Sequence, residues 1–450
     1  MTNTAAPAIR SFNGTSSEEQ TKISGLSFTP DSNGAVDYRY FVEFLNGVFA
    51  IYDKTTGALV GNRISDTQFW KEAKIPHPIS VDPRIFFIPD AGLHGQWLAV
   101  QIFMGSAVYI ATTDPLSSLP DPRIGNWEAS VFDLPGNDFP MVGYDLRGIY
   151  IGSSTSERDQ PRAPQIVVIP RANALAHPPR VGPGDIKIIG PLRHGNYGDS
   201  LFPALDRSGI GWPYETAIGI DVLSSRHLTF ALVSHEARDV VSHGRIEVPP
   251  FRTVSRGYRV RQPAYIDSNV IFDNSSIVSA PRAGGFDIWV AHTVLGPDGG
   301  LVVRWYRLFI DPATRFPGLA AWGEIGQPGY DCFNPAILSF GKDDTTVVSF
   351  SRSGGNSTSS DPDSPSCGNI GAYVAFVHEG GVQPDVFPVR SGLANNYIPN
   401  IAQRWGDYST ICTDPDPKFP RRVWVINQYV LKGGASTSQW CEAIASVDVP

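Results

Sequence analysis

Acidic and aromatic side chains recur just before short apolar runs that are typical of strands. Asp138 precedes one such run, and Asp407 precedes another with the same order of residue types. Carboxylates accept protons from hydroxyl groups and flat rings cover pyranose faces, so this combination suits a carbohydrate site. We predict Asp138 as a catalytic group. The predicted substrate-binding residues are Asp82, Arg84, Asp199, Arg404, Trp405 and Asp407. The alternative role for such aspartates is to cap backbone turns beside a strand.

A second candidate is the glycine-punctuated loop RHGNYGD at 193–199. His194 is a candidate base and Tyr197 a candidate acid, provided that their surroundings shift their pKa values toward neutrality. This pairing would suit a polysaccharide lyase or a hydrolase. We therefore predict His194 and Tyr197 as catalytic residues, with an ordinary surface histidine in a loop as the alternative.

The segment DSNGAVD at 31–37 offers oxygen ligands at alternating positions around a glycine. Hard cations such as calcium bind this way, although the segment lacks the distal glutamate of an EF-hand. Asp31, Asn33 and Asp37 are the predicted metal ligands, and calcium is the one cofactor the sequence suggests. A turn held by side-chain hydrogen bonds, without metal, is the alternative.

Several classes of function are excluded by what the chain lacks. It has no HExxH, G-x-S-x-G or Walker A motif, and no Rossmann glycine fingerprint between a strand and a helix. A net charge of -8 without a run of basic residues argues against a nucleic-acid partner. No apolar stretch approaches the ~18 residues of a membrane helix, and residues 1–20 lack the apolar centre of a signal peptide. We expect a monomer, either soluble as given or the mature form of an exported chain.

The elements that must position these residues form a repeat. Residues 138–151 and 407–426 match in order and spacing, apart from a longer turn in the second. Weaker copies begin near residues 30, 81, 201, 261 and 333, which gives seven units. Each unit contains three or four short runs rich in Val, Ile, Phe, Tyr and Trp, which is the pattern of a small sheet.

A four-stranded sheet cannot bury both faces alone, so repeated sheets of this size stack radially. The sequence therefore predicts an all-β fold: a seven-bladed β-propeller of four-stranded antiparallel blades over 19–450, preceded by a flexible segment at 1–18. The last unit supplies only three strands, and we expect an N-terminal strand at 21–28 to close the ring. A large β-sandwich is the alternative, because periodicity does not separate it from blades.

All four cysteines lie in the last 120 residues, at 332, 367, 412 and 441. One reading is a pair of disulfides, with Cys412 bonded to Cys441 in the last blade and Cys332 to Cys367 across a Ser/Gly-rich loop. The other reading is four buried free thiols.

Three segments carry a resemblance to known proteins: 30–36 with 46–54, 81–84 with 97–100, and 404–409. Through them the chain resembles a broad group of uncharacterised, mostly secreted bacterial β-propeller proteins. Residues 112–115 followed by 125–127 also look like a stretched Asp-box, the structural turn of sialidase-like propellers. The resemblance implies the propeller fold and a secreted or periplasmic location.

Two functions follow as hypotheses. The first is a propeller that binds or cleaves a carbohydrate at the mouth of its central channel, as a glycoside hydrolase or polysaccharide lyase. The second is a non-catalytic scaffold that binds a protein partner through its rim loops, for which 174–184 and 351–369 are the candidate contact segments.

Overall fold

The structure is a computed structural model of the 450-residue chain. It describes residues 6–25, 29–76, 78–103, 105–155, 162–206, 212–220, 224–236, 239–254, 276–282, 284–340, 345–354, 370–377, 384–393, 405–431 and 439–450. Within these ranges, no helix combines the length and apolarity needed to cross a membrane. Arg404 and Cys367, which the sequence singled out, lie outside the described residues.

The first half of the chain forms one N-terminal strand and three blades. The N-terminal strand is β1 (Ala8–Ser16), followed by helix α1 (Ser17–Ser24). Blade 1 contains β2 (Gly34–Val36), β3 (Tyr40–Leu45) and β4 (Val48–Asp53), followed by helix α2 (Asp66–Glu72). Blade 2 contains β5 (Val81–Ile88), β6 (Gln96–Phe103), β7 (Ala107–Thr113) and β8 (Trp127–Asp133). Blade 3 contains β9 (Asn137–Tyr144), β10 (Gly148–Thr155), β11 (Pro164–Pro170) and β12 (Lys187–Ile189), with helix α3 (Arg171–Ala174) between the last two.

The second half forms four more blades. Helix α4 (His194–Tyr197) precedes blade 4, which contains β13 (Phe202–Pro203), β15 (Glu215–Ile220), β16 (His227–Val233) and β17 (Val240–Glu247). The short β14 (Leu205–Asp206) pairs with neighbouring blades on both sides. Blade 5 contains β18 (Ser276–Arg282), β19 (Gly285–Leu295), β20 (Leu301–Ile310) and β21 (Pro317–Ile325). Blade 6 contains β22 (Tyr330–Ser339), β23 (Thr346–Gly354), β24 (Gly371–Val377) and β25 (Val386–Arg390). Blade 7 contains β26 (Thr410–Thr413), β27 (Arg422–Leu431) and β28 (Gln439–Asp448).

The innermost strands of the blades contact one another in a closed ring. The order of neighbours is β2, β5, β9, β13 with β14, β18, β22 and β26, and β26 returns to contact β2. The fold is therefore the seven-bladed β-propeller that the repeat predicted, and the sandwich alternative is wrong. We call the face at which these strands begin the upper face, and the opposite one the lower face.

The hydrophobic core is divided among the interfaces between blades. Seven clusters of buried apolar residues are found among the described residues, one for each pair of neighbouring blades. Middle strands such as β6 are buried on both sides because they are covered by two neighbouring blades. The outer strand β17 alternates between more and less exposed positions, as expected where one face meets solvent.

The ring is closed by an N-terminal strand, but not by the segment that the sequence indicated. Strand β1 pairs antiparallel with β28 and gives blade 7 its fourth strand. Residues 21–24 lie instead in α1, whose start is fixed by a capping box between Ser16 and Glu19. The boundary at residue 18 is also displaced, because Ala8–Ser16 belongs to the sheet.

Buried side chains attach β1 to blade 1 as well as to blade 7. The carboxyl group of Glu43 accepts hydrogen bonds from the backbone N–H of Thr15 at 2.9 Å and from the Tyr52 hydroxyl at 2.9 Å. Burial raises the pKa of Glu43, although the Thr15 contacts oppose this effect. The closure therefore depends on a buried carboxyl group as well as on strand pairing.

The predicted disulfide in blade 7 is wrong. Cys412 and Cys441 are free, as is Cys332. Cys412 lies opposite Trp424 of β27, whereas Cys441 lies opposite Tyr429 of the same strand. Five residues along a strand span roughly 17 Å, far beyond the ~7 Å between Cα atoms that a disulfide tolerates.

Candidate functional site

A group of polar side chains gathers at the upper mouth of the central channel. Asp31 precedes β2, Asp82 and Asp138 lie at the starts of β5 and β9, and Asp407 precedes β26. Because the innermost strands are parallel around the channel, residues at their starts converge. Blades 1, 2, 3 and 7 thus contribute one carboxyl group each to the mouth.

The starts of several innermost strands share an unusual backbone conformation. Asp31, Asp82, Phe139 and Asn334 have positive φ angles of 52°, 57°, 57° and 51°. Pairing registers shift beside these residues, between Val81 and Arg84 in β5 and between Phe333 and Ala336 in β22. Such bulges turn a side chain out of the sheet, here toward the channel.

The carboxyl groups of Asp31 and Asp82 are hydrogen-bonded, a contact that lowers the pKa of Asp82. An ionised carboxylate can only accept hydrogen bonds, so this contact requires a proton on one of the two. The pKa of Asp82 is raised to about 6, first by burial and then by the negative charges of Asp138 and Asp407. The mouth therefore contains an acidic group with a pKa of about 6.

Asn46 fixes the geometry of this pair. Its side-chain N–H donates to Asp31 Oδ2 at 2.7 Å, while its carbonyl oxygen accepts from the Asp82 backbone N–H at 2.8 Å. The other oxygen of Asp31 accepts from the backbone N–H of Asp407 at 2.9 Å. Three blades are thereby connected through the carboxylate of Asp31 and one amide.

Tyr408 lies under the carboxyl groups and closes the channel. Its hydroxyl donates to Asp82 Oδ2 at 3.3 Å, and its ring packs against Phe139 with 4.8 Å between ring centroids. The Arg84 guanidinium carbon lies 3.5 Å from the centre of the same ring. Burial and the charge of Asp82 raise the pKa of Tyr408 well above its usual value, so it remains a donor.

Arg84 is a buried cation held by the channel wall. Its Nε donates to the carbonyl of Pro140 at 2.8 Å, and its side chain also reaches the sulfur of Met141. Its positive charge opposes the rise in the pKa of Asp82. Arg84 therefore positions Tyr408 and balances part of the negative charge at the mouth.

The channel contains a cavity of about 70 Å³, lined by side chains that include Arg84, Met141 and Asp407. Ligand pockets usually begin at roughly 300 Å³. The cavity has room for a few water molecules and not for a sugar ring. Any ligand of the mouth must therefore bind from the upper surface and cannot be threaded through the ring.

The remaining predicted site residues are distributed differently. Asp138 forms an ion pair with Arg162 at 3.3 Å and acts on Asp82 through its charge. Trp405, predicted to bind substrate, is fully buried between blades, and its indole N–H donates to Ser351 Oγ at 3.2 Å. Its ring is therefore enclosed by neighbouring side chains, and its role in substrate binding stays a prediction.

The RHGNYGD loop folds over the outer part of blade 4. His194 Nε2 and Asp199 Oδ1 hydrogen bond at 2.6 Å, and the buried Tyr197 packs against the ring of His243. Helix α4 contacts β16 and β17, which are outer strands of that blade. None of the contacts described for His194 or Tyr197 reaches Asp138, so the three predicted catalytic residues are not brought together.

The predicted metal ligands are also separated. Asp31 and Asp37 lie before and after β2, at opposite ends of the strand. Asp37 Oδ1 accepts from the backbone N–H groups of Arg39 and Tyr40, and Asn33 bridges Ile85 to Thr410. Across the described ranges, no set of three or more acidic, histidine or cysteine side chains is arranged to hold a metal ion.

Comparisons with known proteins do not assign the chain to a family. No protein-family model matches it, and no curated protein sequence matches it. Solved structures do match. The WD40 domain of SCAP from fission yeast is 11% identical with a TM-score of 0.39, covering 91% of this chain and 82% of that one. An endo-arabinase from Bacteroides thetaiotaomicron is 10% identical with a TM-score of 0.32, covering 80% and 92%. The N-terminal domain of Nup159 is 10% identical with a TM-score of 0.40, covering 99% and 96%. Such distant likeness says nothing about what this chain does.

Sequence reasoning missed two residues of the mouth. Tyr408 follows Asp407 directly, and its place at the start of an innermost strand was the signal for it. Asn46 lies in the turn between β3 and β4, where an asparagine followed by glycine reads as an ordinary hairpin turn. Its second role, as a bridge between blades, requires the ring to be assembled.

Proposed function

We propose that the chain binds and hydrolyses a carbohydrate at the upper mouth of its channel. The observation that carries this proposal is the group of carboxyl side chains at the mouth, where burial and the charges of Asp138 and Asp407 raise the pKa of Asp82 to about 6. Glycosidic cleavage uses one protonated and one ionised carboxyl group. The mouth supplies both at a pH near 6.

Asp82 is the proposed general acid, since its raised pKa keeps it protonated more often than an ordinary aspartate. Asp138 and Asp407 are the candidates for the ionised partner. Tyr408 and Arg84 position Asp82 from below through the contacts described above. A hydrolase is favoured over a lyase, because His194 and Tyr197 lie over the outer strands of blade 4.

One observation weakens the alternative of a protein scaffold acting through its rim. Segment 174–184, a candidate contact loop, is fastened to blade 2. The Gln96 side-chain amide donates to the carbonyl of Thr113 at 2.7 Å and to the carbonyl of Leu175 at 3.0 Å. Ser130 donates to the carbonyl of Pro179 at 2.6 Å. Residues 355–369 of the other candidate loop lie outside the described residues.

The test is hydrolysis of a panel of neutral and acidic polysaccharides, measured as the release of reducing ends at pH 5 to 8. Asp82→Asn, Asp138→Asn and Asp407→Asn are compared with the control Asp133→Asn, an exposed aspartate on the outer strand β8. Loss of a general acid or base lowers turnover by roughly 10²- to 10⁴-fold. We expect this loss for Asp82→Asn and wild-type turnover for the control.

Binding measurements distinguish recognition of the substrate from its cleavage. Asp82→Asn retains the shape of the mouth, so the substrate that wild-type protein cleaves should still bind the variant in calorimetric titrations. A chain that neither cleaves nor binds any member of the panel contradicts the proposal, and so does full activity in Asp82→Asn. The proposal includes a secreted or periplasmic location, and fractionation of cells that make the protein would test it.

A further inference from the structure

A second concavity lies on the lower face, between blades 1 and 2, away from the mouth. Its volume is about 330 Å³, within the range of ligand pockets. It is built by the turn between β2 and β3, the turn between β5 and β6, and the loop between β7 and β8. All three segments join strands at the ends opposite to Asp31 and Asp82.

The walls of this lower pocket are held in place by hydrogen bonds that do not involve a ligand. Leu93 N–H donates to the carbonyl of Pro115 at 2.9 Å, which joins two of its loops. Asp37 Oδ2 accepts from the indole of Trp97 at 3.1 Å, which joins the third segment to blade 2. Gly92, with φ of 59°, permits the close approach, since a Cβ there would lie 2.6 Å from the Pro115 carbonyl. The pocket is therefore preformed.

The rim of the pocket is apolar and unusually exposed. Leu93 and Leu119 are 63% and 66% exposed, and Tyr38 is 42% exposed with its ring edge against Phe87. Pro89 and Pro120 complete this side of the lining. Burying these side chains against a flat apolar group would be favourable, because each gains by leaving water.

Among the polar groups that line the pocket, the Arg39 guanidinium can donate hydrogen bonds to a ligand. Asp37 Oδ1 is occupied by two backbone N–H groups, and Asp121 is paired with Arg123 at 2.5 Å. Arg39 makes no ion pair among the described residues, and its guanidinium lies 4.9 Å from the centre of the Tyr40 ring. Asp53 is near enough to interact with Arg39 through its charge, but its carboxylate accepts from Thr55 and Thr56.

We infer that the lower pocket binds a small aromatic carboxylic acid, with the ring between Tyr38 and the two leucines and the carboxylate on Arg39. A guanidinium fits a carboxylate with two parallel hydrogen bonds, and the exposed apolar rim fits the ring. The inference is independent of the proposed hydrolysis, since the two sites lie on opposite faces.

The probe is 3-phenylpropionate, titrated into the full chain by calorimetry and by saturation-transfer NMR. Its neutral amide, 3-phenylpropionamide, and the cation 3-phenylpropylamine have nearly the same shape and differ in charge. We expect the acid to bind about tenfold more tightly than the amide and the amine to bind most weakly. Equal affinity for acid and amide, or tighter binding of the amine, would overturn the assignment.

Variants test the placement of the ligand. Arg39→Gln should remove the preference for the acid while leaving the affinity for the amide unchanged, and Leu93→Ser should weaken both ligands. Arg226→Gln and Leu146→Ser are matched controls, being exposed residues outside the pocket. Retention of the acid preference in Arg39→Gln would contradict the proposal, with circular dichroism confirming that each variant is folded.

A peptide ending in phenylalanine offers the same chemistry from another source. If that peptide binds and its C-terminal amide does not, but 3-phenylpropionate fails, the pocket recognises protein termini and the small-molecule assignment is wrong. Asp82→Asn serves as a cross-check, because it should leave binding of 3-phenylpropionate unchanged whatever its effect on hydrolysis.

Discussion

Replacing Asp82 with asparagine should stabilise the protein at neutral pH. Asparagine has nearly the same shape and tolerates the positive φ of 57° at this position. Its amide oxygen can accept from the Tyr408 hydroxyl, and its N–H can donate to Asp31. The substitution thus removes the negative charge and leaves the hydrogen bonds of the mouth in place.

The magnitude follows from the pKa of Asp82. That pKa is about 6, against 3.8 for an ordinary aspartate. Between these values the folded protein holds a proton that the unfolded chain has lost, so the free energy of unfolding falls as pH rises. The full difference corresponds to about 3 kcal/mol. Asp82 is partly exposed at the mouth, where water screens its charge, so we expect a gain of about 1 to 2 kcal/mol for Asp82→Asn above pH 6.

The assay is thermal unfolding of wild type and Asp82→Asn at pH 7.5 and pH 4, followed by circular dichroism. A chain of this length changes its Tm by about 1 °C for each kcal/mol. We expect the variant to melt about 1 to 2 °C higher at pH 7.5, and the difference to disappear at pH 4, where wild-type Asp82 is mostly protonated. Asp133→Asn should melt like wild type at both values.

Two outcomes would refute this reasoning. If Asp82→Asn is less stable at pH 7.5, ionised Asp82 stabilises the mouth and its pKa is not raised. If the variant gains the same stability at both pH values, the gain does not come from the charge of Asp82. Either result would also remove the basis for assigning Asp82 as the general acid.

Four further outcomes are expected. Tyr408→Phe should lower turnover and shift the alkaline limb of the pH profile to higher pH, because Asp82 loses a donor that stabilises its ionised form and so its pKa rises. Glu43→Ala should lower the free energy of unfolding by about 2 to 3 kcal/mol in guanidinium titrations, since Thr15 loses its buried partner. Melting curves with and without dithiothreitol should overlay, given free thiols at Cys332, Cys412 and Cys441. His194→Ala should leave polysaccharide hydrolysis unchanged, and a large loss would show that the RHGNYGD loop belongs to the site.

The fold was predictable because each blade repeats one pattern of short apolar runs. The closing strand was not, since both 8–16 and 21–28 alternate well enough to form a strand. The deciding signal was local: Ser16 followed three residues later by Glu19 is a helix start. Recognising that capping box would have excluded a strand at 21–24 and left Ala8–Ser16 to close the ring.

The site was predicted in part. Asp82, Arg84 and Asp407 lie together at the mouth because residues beside innermost strands converge, and their role in substrate binding stays a prediction. Asp31 was assigned to a metal with Asp37, although an intervening strand carries the two to opposite faces of the ring. Spacing along the chain suggested a ligand loop, whereas the structure shows a strand with a different polar group at each end.

The residues at the mouth show which features the blade fold requires and which features it does not. Phe139 and Asn334 adopt the same positive φ as Asp31 and Asp82, so the backbone of an innermost strand does not need a carboxyl group there. Burial of Asp82 lowers stability above its pKa, and the nearby charges of Asp138 and Asp407 increase that cost. A cost that the fold does not require is typical of a functional site. This asymmetry between blades is the physical reason for placing the chemistry on the side of the mouth formed by blades 1 and 2.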